Sequence, residues 1–320
     1  MMKAAVRTRY GPPAEVLSIK ELEKPTPKPD EVLIKVHAAS ANRTDYHVLT
    51  GKPNFMRLFT GLSKPRLTVT GSDFAGQVEG IGTGVTSFKE GDKVMGFGGV
   101  FCIGSHTEYI TFSESKGIVS MPGNITYEQA AACLEGTYYS AAGINHLKPT
   151  SGQKAMVYGA TGAIGSADVQ ILKYYGLYVT AVCSGEHADL LRSLGADKVI
   201  DYKTQDFTKD DEQYDYIFDA VAKTGFLTCK HLLKKNGIFS SSGGFEYLAW
   251  SLITKVTGGK KVLFIPPKDI KGNLAFIKKL IEEGRFRPVI DSTYPLDEIA
   301  EAFTYVGTGK KIGNVIIKIA

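Results

Sequence analysis

The stretch AMVYGATGAIGSADVQILKYYG, residues 155–176, constrains the fold of this 320-residue chain more than any other. It begins with an apolar run of strand length, Ala155–Tyr158, and then breaks into the glycine turn Gly159–Gly165. Apolar residues recur after the turn with the period of a helix, and Gly176 is a natural stop. A glycine turn between a buried strand and a helix suits a pyrophosphate, because small residues admit the anion and the helix N-terminus offers free N–H groups. The stretch therefore predicts a dinucleotide-binding unit.

The composition argues against several classes of partner and location. The net charge of +5 comes from 38 basic and 33 acidic residues that are scattered along the chain, without the basic block of a nucleic-acid or membrane-surface protein. No apolar run approaches the roughly 18 to 20 residues that span a bilayer. The first residues lead into a strand rather than a secretory signal, and the four dispersed cysteines indicate reduced thiols. We therefore expect a cytoplasmic protein without a membrane or nucleic-acid partner.

The chain changes character near Pro122. Before this point, short strands such as Met2–Arg7 and Glu31–Ala38 alternate in hydrophobicity between glycine turns, which is typical of a β barrel or sandwich. From Lys154, strands and helices alternate, which predicts an α/β fold with a doubly wound parallel sheet of the Rossmann type. Residues 247–257 fit neither pattern and are expected to form a loop or a helix on the substrate side. The predicted strands of the parallel sheet are Ala155–Tyr158, Tyr178–Cys183, Lys198–Ile200, Tyr214–Asp219, Gly237–Ser240 and Lys261–Ile265.

Motifs spread from end to end of the chain carry a resemblance to a known family. They include MKAAVRTRYGPPAEVL, PKPDEVLIKVHAASANRTDY, TGSDFAGQVEGIGTGVTSFKEGDKVMGF, the glycine turn, SLGADKVIDY, YDYIFDAV and GNVIIKI. With these motifs the chain resembles the zinc-free quinone oxidoreductase branch of the medium-chain dehydrogenase/reductase superfamily. The resemblance implies a GroES-like β-barrel catalytic domain, residues 1–125 and 286–320, split around a Rossmann NADP-binding domain, residues 126–285.

Two positions that hold metal ligands in zinc-dependent relatives differ in this chain. Those relatives carry a cysteine in the segment equivalent to Asn42–Asp45, and a Gly-His-Glu motif where this chain has Gly-Ser-Asp at residues 71–73. Here Arg43 replaces the thiolate and Ser72 replaces the imidazole. Because zinc needs about three protein donors, we expect no metal. Cys102 and His106 form a rival pair of ligand types, but no third ligand is apparent.

The end of the second strand of the parallel sheet decides between the two nicotinamide coenzymes. Enzymes specific for NAD usually have Asp or Glu there to accept the ribose hydroxyls. This chain has Ser184, a small residue that can donate to a 2′-phosphate. The resemblance assigns a basic position to His187 and the adenine-side aromatic to Tyr202. We therefore predict NADP, with the objection that Glu186, if turned inward, favours NAD.

The resemblance implies further cofactor contacts around the glycine turn and at the ends of later strands. The apolar members of this set have core packing as an open alternative. The predicted contacts are Thr137, Gly159, Gly162, Ala163, Ile164, Gly165, Ala220, Val221, Ser242, Gly243, Ile265 and Pro266.

Chemistry without a metal favours an acceptor that delocalises its own developing negative charge, such as a quinone or an enone. The catalytic candidates lie in the segment that holds metal ligands in zinc relatives. We expect Tyr46 to donate a hydrogen bond to the acceptor oxygen, Asn42 to hold the nicotinamide ribose or the substrate, and Asp45 to orient the loop. The alternative for Tyr46 is a packed aromatic whose hydroxyl is satisfied elsewhere.

The sequence thus predicts an NADPH-dependent, zinc-independent reductase of quinones or α,β-unsaturated carbonyls. Two alternatives stay open: a zinc-free alcohol dehydrogenase or enoyl-thioester reductase on the same fold, and a non-catalytic NADPH-binding sensor. The resemblance also implies a homodimer, in which Lys261–Ile265 pairs as an edge strand with its copy.

Overall fold

The computed structural model describes residues 1–99, 103–243, 246–264 and 268–320. The chain forms two compact units. The first consists of Met1–Glu135 together with Asp269–Ala320, and the second of Gly136–Lys268. The chain therefore leaves the first unit once and returns to it near its end.

Fifteen β-strands and eleven α-helices lie in the described residues. The strands are β1 Met2–Arg7, β2 Leu17–Leu22, β3 Glu31–Ala41, β4 Asp73–Ile81, β5 Lys93–Phe97, β6 Tyr109–Ser113, β7 Ile118–Ser120, β8 Lys154–Tyr158, β9 Tyr178–Cys183, β10 Lys198–Asp201, β11 Tyr214–Asp219, β12 Leu233–Ser241, β13 Lys261–Leu263, β14 Ile290–Pro295 and β15 Asn314–Lys318. The helices are α1 Pro13–Val16, α2 Arg43–Thr50, α3 Met56–Thr60, α4 Tyr127–Ala132, α5 Glu135–Leu147, α6 Ala163–Tyr174, α7 Ala188–Ser193, α8 Phe226–Cys229, α9 Glu246–Thr257, α10 Ile270–Glu282 and α11 Ile299–Thr308.

The first unit is built around the long strand β3. The sheet order is β14-β15-β3-β4-β5-β7, and β6 also pairs with β3. The pairing of β3 with β4 shifts register twice, and such irregularities bend a strand, which allows a sheet to curl. Inward side chains of β3, including Val32, Ile34 and Val36, form a core with Phe74 and Phe112. This barrel-like arrangement agrees with the alternating pattern of the first 125 residues.

The second unit contains the predicted parallel sheet. Its order is β10-β9-β8-β11-β12-β13, and every pair is parallel. Counted from β8, this is 3-2-1-4-5-6, the Rossmann order, in which ligands bind beyond the carboxyl ends of the strands where the order reverses. The chain following β8 is the glycine turn, so the turn lies at this switch point.

The second unit begins and ends at residues that differ from the predicted domain boundaries. The helix α4 belongs to the first unit, because its buried alanines, Ala130–Ala132, lie in a helix that packs against β3, β4 and β15. The helix α10 also belongs there, since it contacts β7 and the Asn124 side chain donates to the Ile281 carbonyl at 3.0 Å. The predicted boundaries at residues 125 and 285 therefore lie outside the observed limits of the second unit.

Residues 247–257 are helical, which decides between the two structures expected for them. The side chains of Tyr247 and Trp250 pack against Phe226 and Phe239 in the core of the second unit. The strand after this helix ends at Leu263, and the expected cofactor contacts Ile265 and Pro266 lie outside the described residues. Within the ranges that the structure describes, every helix is too short or too polar to cross a bilayer.

Candidate functional site

The glycine turn after β8 has no room for side chains at two points. Gly159 has a φ of +75°, a conformation that glycine adopts readily. A Cβ on Gly165 would lie 2.3 Å from the Gly159 carbonyl oxygen, so this helix start fits closely against the turn. Gly162 is the N-cap of α6, and no side chain caps the helix there. The first-turn N–H groups of α6 thus fit a pyrophosphate, and its binding stays a prediction.

The chain after β11 approaches the same turn. Buried Asp219 accepts hydrogen bonds from the backbone N–H groups of Val221 at 3.1 Å and Thr224 at 3.0 Å, which fixes the loop that contains Ala220 and Val221. A Cβ on Gly159 would lie 2.6 Å from the Val221 side chain. The structure thus brings these two predicted contacts to the glycine turn.

Two further predicted contacts lie near this loop. The Ser242 N–H donates to the Asp219 carbonyl at 3.0 Å, and Gly243 lies against Ala222. Thr137 is buried in α5, and its neighbour Gly136 lies against Ala163 at the start of α6. Segments from four parts of the chain therefore meet at the switch point of the sheet.

The end of β9 places Ser184 beside two charged residues. The Ser184 hydroxyl donates to Glu186 Oε1 at 2.7 Å, and Lys203 Nζ donates to the same oxygen at 3.0 Å. His187 Nε2 lies 3.9 Å from this oxygen. The hydrogen bonds from Ser184 and Lys203 lower the pKa of the Glu186 carboxyl, so it is charged at neutral pH. Tyr202 is 49% exposed and thus accessible to an adenine ring.

The first unit holds a buried polar network at the candidate catalytic segment. Asp45 Oδ2 accepts from the Asn42 N–H at 3.2 Å and from the Ser72 hydroxyl at 3.3 Å. Asp73 accepts from the Ser40 N–H at 2.7 Å, from the Ser40 hydroxyl and from the Asn42 amide at 3.1 Å. Burial nevertheless raises the pKa of Asp73 to about 6. The structure thus brings Asn42, Asp45 and Ser72 together.

A third carboxyl group, that of Glu135, lies beside this network. Burial raises the pKa of Glu135 well above its usual value, and the neighbouring Asp45 raises it further. Its Oε2 atom is buried without a hydrogen-bond partner among the described residues. Burial also lowers the pKa of the Lys311 ammonium to about 8, against the attraction of Glu135. Burial thus favours the neutral form of the Glu135 carboxyl, which lies beside the hydroxyl of Thr44.

Tyr46 packs against α11, whereas Asn42 and Asp45 of the same segment belong to the polar network. Its half-buried ring packs against Gly307 of α11, where an added Cβ would lie 2.7 Å from the ring. Arg43 lies over the same ring at 5.8 Å and donates to the carbonyls of Val306 at 3.0 Å and Gly307 at 3.2 Å. A cation bound to the last carbonyls stabilises the end of a helix. This position agrees with the packed-aromatic alternative, and the catalytic role of Tyr46 stays a prediction.

His106 uses both ring nitrogens within the protein. Its Nε2 lies 3.0 Å from the Ser40 carbonyl, which can only accept, so Nε2 carries the hydrogen and Nδ1 accepts from the Thr70 hydroxyl at 2.8 Å. Burial lowers the pKa of His106 to about 4. His106 is thus not free to bind a metal, and its proposed companion Cys102 lies outside the described residues. In the part of the chain that the structure describes, no three His, Cys, Asp or Glu side chains form a group that could hold a metal ion.

Comparisons with known proteins give the family. A model of the alcohol dehydrogenase GroES-like domain matches residues 28–123, and a model named zinc-binding dehydrogenase matches residues 194–317. The chain is 31% identical over 329 residues to the chloroplastic quinone-oxidoreductase QR1 of Triphysaria versicolor, covering 99% of this chain and 98% of that protein. The chain belongs to the quinone oxidoreductase branch of the medium-chain dehydrogenase/reductase superfamily.

The chain is also similar to two further oxidoreductases. It is 32% identical over 333 residues to the chloroplastic NADPH-dependent alkenal/one oxidoreductase of Arabidopsis thaliana, covering 99% of this chain and 79% of that protein. Its structure matches that of the quinone oxidoreductase of Coxiella burnetii with a TM-score of 0.86 at 26% identity, covering 100% and 99% of the two chains. The predicted fold class is thus confirmed, and the family is one of oxidoreductases with a nicotinamide cofactor.

The sequence patterns did not predict three charged residues that lie near the candidate sites. Lys203 follows the predicted aromatic Tyr202, and its position two residues after the end of β10 was the available signal. Glu135 stands alone in the otherwise uncharged run ACLEGTYYSA, which is the mark of a buried carboxyl with a specific neighbour. Lys311 gave no local signal, because its neighbour Glu135 is far away in the chain.

Proposed function

We propose that this chain is an NADPH-dependent reductase of quinones or α,β-unsaturated carbonyls that works without zinc. The observation that carries the proposal concerns the two positions that hold metal ligands in zinc-dependent relatives. In this chain both side chains are engaged in hydrogen bonds within the protein. Arg43 is a cation bound to the carbonyls of α11, and the Ser72 hydroxyl donates to Asp45. Neither residue is a thiolate, imidazole or carboxylate, the ligands that zinc takes from proteins. An acceptor that spreads its own charge suits such a site.

The second unit supplies the groups for the coenzyme. When bound, a nicotinamide coenzyme supplies the hydride for the reduction. The glycine turn and the first turn of α6 would bind the pyrophosphate, with Ala163, Ile164 and Gly165 donating through their N–H groups. Ser184, His187 and Lys203 are the donors within reach of a 2′-phosphate, and this set favours NADPH.

The first unit supplies the polar groups for the acceptor. Reduction of a quinone or an enone leaves an oxyanion that must gain a proton. We propose that Tyr46 or solvent supplies this proton, and the buried carboxyl of Glu135 beside Thr44, whose pKa burial raises, is a further source. Asn42 and Asp45 hold the segment in place through the hydrogen bond between the Asn42 N–H and the Asp45 carboxylate.

A turnover assay tests the proposal and separates it from its alternatives. The purified protein is mixed with NADPH and, in turn, with benzoquinones, naphthoquinones, alkenals and enones, with simple alcohols and NADP as the control. We expect NADPH oxidation with at least one conjugated acceptor, none of the reverse reaction with simple alcohols, and rates that a chelator leaves unchanged. Coenzyme binding without turnover would support the sensor alternative, and a rate abolished by the chelator would contradict the zinc-free mechanism.

A further inference from the structure

Glu186 occupies the centre of the group that is expected to receive the 2′-phosphate of the coenzyme. We propose that the Glu186 carboxylate competes with the 2′-phosphate of NADPH for Ser184 and Lys203, and thereby lets the protein bind NADH as well. This inference rests on the coenzyme site of the proposed function and concerns the choice between the two coenzymes.

Two donors from neighbouring strands converge on one oxygen atom of Glu186. β9 and β10 are parallel, and Cys183 pairs with Asp201, so the residues that follow these strands lie at the same edge of the sheet. The Ser184 hydroxyl, which follows β9, lies 2.7 Å from Glu186 Oε1. The Lys203 ammonium, which follows β10, lies 3.0 Å from the same atom. A hydroxyl and an ammonium converging on one anionic oxygen are the partners that a phosphate monoester takes in proteins.

The loop that carries these donors is fixed by Asp201. The Asp201 carboxylate accepts the Lys203 N–H at 2.9 Å. A Cβ on Gly185 would lie 2.5 Å from Asp201 Oδ2, so the glycine between Ser184 and Glu186 lets the loop lie close to this carboxylate. The backbone that carries the donors is therefore held in place, and the side chains of Lys203 and Glu186 are 57% and 62% exposed to solvent.

The charges at this site oppose the simultaneous presence of both anions. The hydrogen bond with Glu186 raises the pKa of the Lys203 ammonium, and the hydrogen bonds from Ser184 and Lys203 lower the pKa of Glu186, so both groups are charged at neutral pH. A 2′-phosphate would add up to two negative charges beside the carboxylate. Because exposed ion pairs contribute little stability, the phosphate can displace Glu186 from Lys203. The repulsion between the anions then weakens NADPH binding.

The same carboxylate is a partner for NADH. In proteins that bind NAD, a carboxylate after the second strand accepts the ribose hydroxyls. Glu186 is anchored by Ser184 at the end of β9 and needs no displacement when the coenzyme lacks the phosphate. The Glu186 side chain would thus be displaced from Lys203 when NADPH binds and would stay in place when NADH binds.

Dissociation constants of NADPH and NADH, measured by coenzyme fluorescence, test the inference without turnover. For Glu186→Gln we expect NADPH to bind about tenfold more tightly and NADH about threefold more weakly than in the wild type, since a nearby like charge is removed and an acceptor is weakened. For Lys203→Gln we expect about tenfold weaker NADPH binding, with NADH changed less. Asp189→Asn and Lys209→Gln are the matched controls, because these side chains are 98% and 82% exposed and neither contacts Ser184 or Glu186.

The ratio of the two dissociation constants decides the outcome. A ratio in Glu186→Gln that stays within twofold of the wild type, or that moves toward NADH, would overturn the inference. Salt provides a second readout: the difference between Glu186→Gln and the wild type for NADPH should shrink as ionic strength rises. A wild type that binds both coenzymes but reduces no acceptor would reject the proposed reductase while the ratio still tests Glu186.

Discussion

At the scale of single residues, two glycines of the same turn separate packing from ligand binding. A Cβ on Gly165 would lie 2.3 Å from the Gly159 carbonyl oxygen, whereas the nearest atom to a Cβ on Gly162 is 3.6 Å away. Gly165→Ala should therefore lower the free energy of unfolding by about 2 kcal/mol, since overpacking of this kind typically costs 1–3 kcal/mol. Gly162→Ala should leave it within about 0.5 kcal/mol.

Coenzyme binding should respond to the change at Gly162 although this change leaves the stability nearly unaltered. Gly162 is the N-cap of α6, so a methyl group there would occupy the side from which the pyrophosphate approaches. We expect Gly162→Ala to weaken coenzyme binding at least tenfold, or by about 1.4 kcal/mol, at unchanged stability. Urea denaturation and coenzyme titration of the two variants check this. Equal effects of Gly162→Ala on stability and on binding would show that this residue acts through folding alone.

At the scale of elements, the sequence predicts type and order well and packing partners poorly. The period-2 and period-3.6 patterns locate the strands of the parallel sheet and the glycine-turn helix, because each pattern reports which face of an element is buried. The same patterns do not say against what that face packs. For this reason α4 and α10 were expected in the nucleotide-binding unit, although their apolar faces complete the first unit.

Contacts between distant residues limit the prediction of the sites in the same way. Ser184 was expected at the phosphate because it follows a strand with a readable pattern. Its hydrogen bond to Glu186 and the approach of Lys203 depend on side-chain directions and on the pairing of β9 with β10, neither of which a local pattern contains. The network of Asn42, Asp73 and Glu135 likewise joins three parts of the chain.

The helix α9 and the strand β13 together make a specific prediction about assembly. β13 is the last strand of the six-stranded sheet, and an edge strand offers unpaired N–H and C=O groups to a second chain. α9 packs against β13 and exposes an apolar stripe with helical spacing. The stripe consists of Leu248, Leu252, Ile253 and Val256, which are 46%, 62%, 49% and 89% exposed. We therefore expect a homodimer that pairs through β13 and covers this stripe.

Sedimentation velocity at micromolar concentration checks this expectation. The double variant Leu252→Glu and Val256→Glu should sediment as a monomer with an unchanged circular dichroism spectrum, because two buried charges would oppose pairing. Leu227→Glu, at a residue 64% exposed on α8, is the matched control and should remain a dimer. A wild-type monomer would contradict the predicted homodimer, and a dimeric double variant would place the interface elsewhere.

At the scale of the whole molecule, buried carboxyl groups set the dependence of stability on pH. Burial raises the pKa of Asp73 to about 6 and of Asp168 to about 7, so the folded protein holds protons that the unfolded chain releases. Their contribution to stability is fully present below the unfolded pKa of about 4 and is lost as the pH rises through 6 and 7. His106 acts in the opposite sense between about pH 4 and 6.5, because its pKa is lowered. Above pH 6.5 Asp168, which has the highest of these pKa values, dominates the pH dependence of this set.

Asp168→Asn isolates one of these carboxyl groups. Asp168 is 3% exposed in α6, and a shift from 3.8 to about 7 corresponds to about 4 kcal/mol at most, since each pKa unit is worth about 1.4 kcal/mol. The neutral amide should leave the free energy of unfolding nearly unchanged at pH 4 and exceed the wild type by up to about 4 kcal/mol at pH 8. Urea denaturation at pH 4, 6 and 8 measures this difference. A difference that is the same at all three pH values would mean that Asp168 is charged in the folded protein throughout.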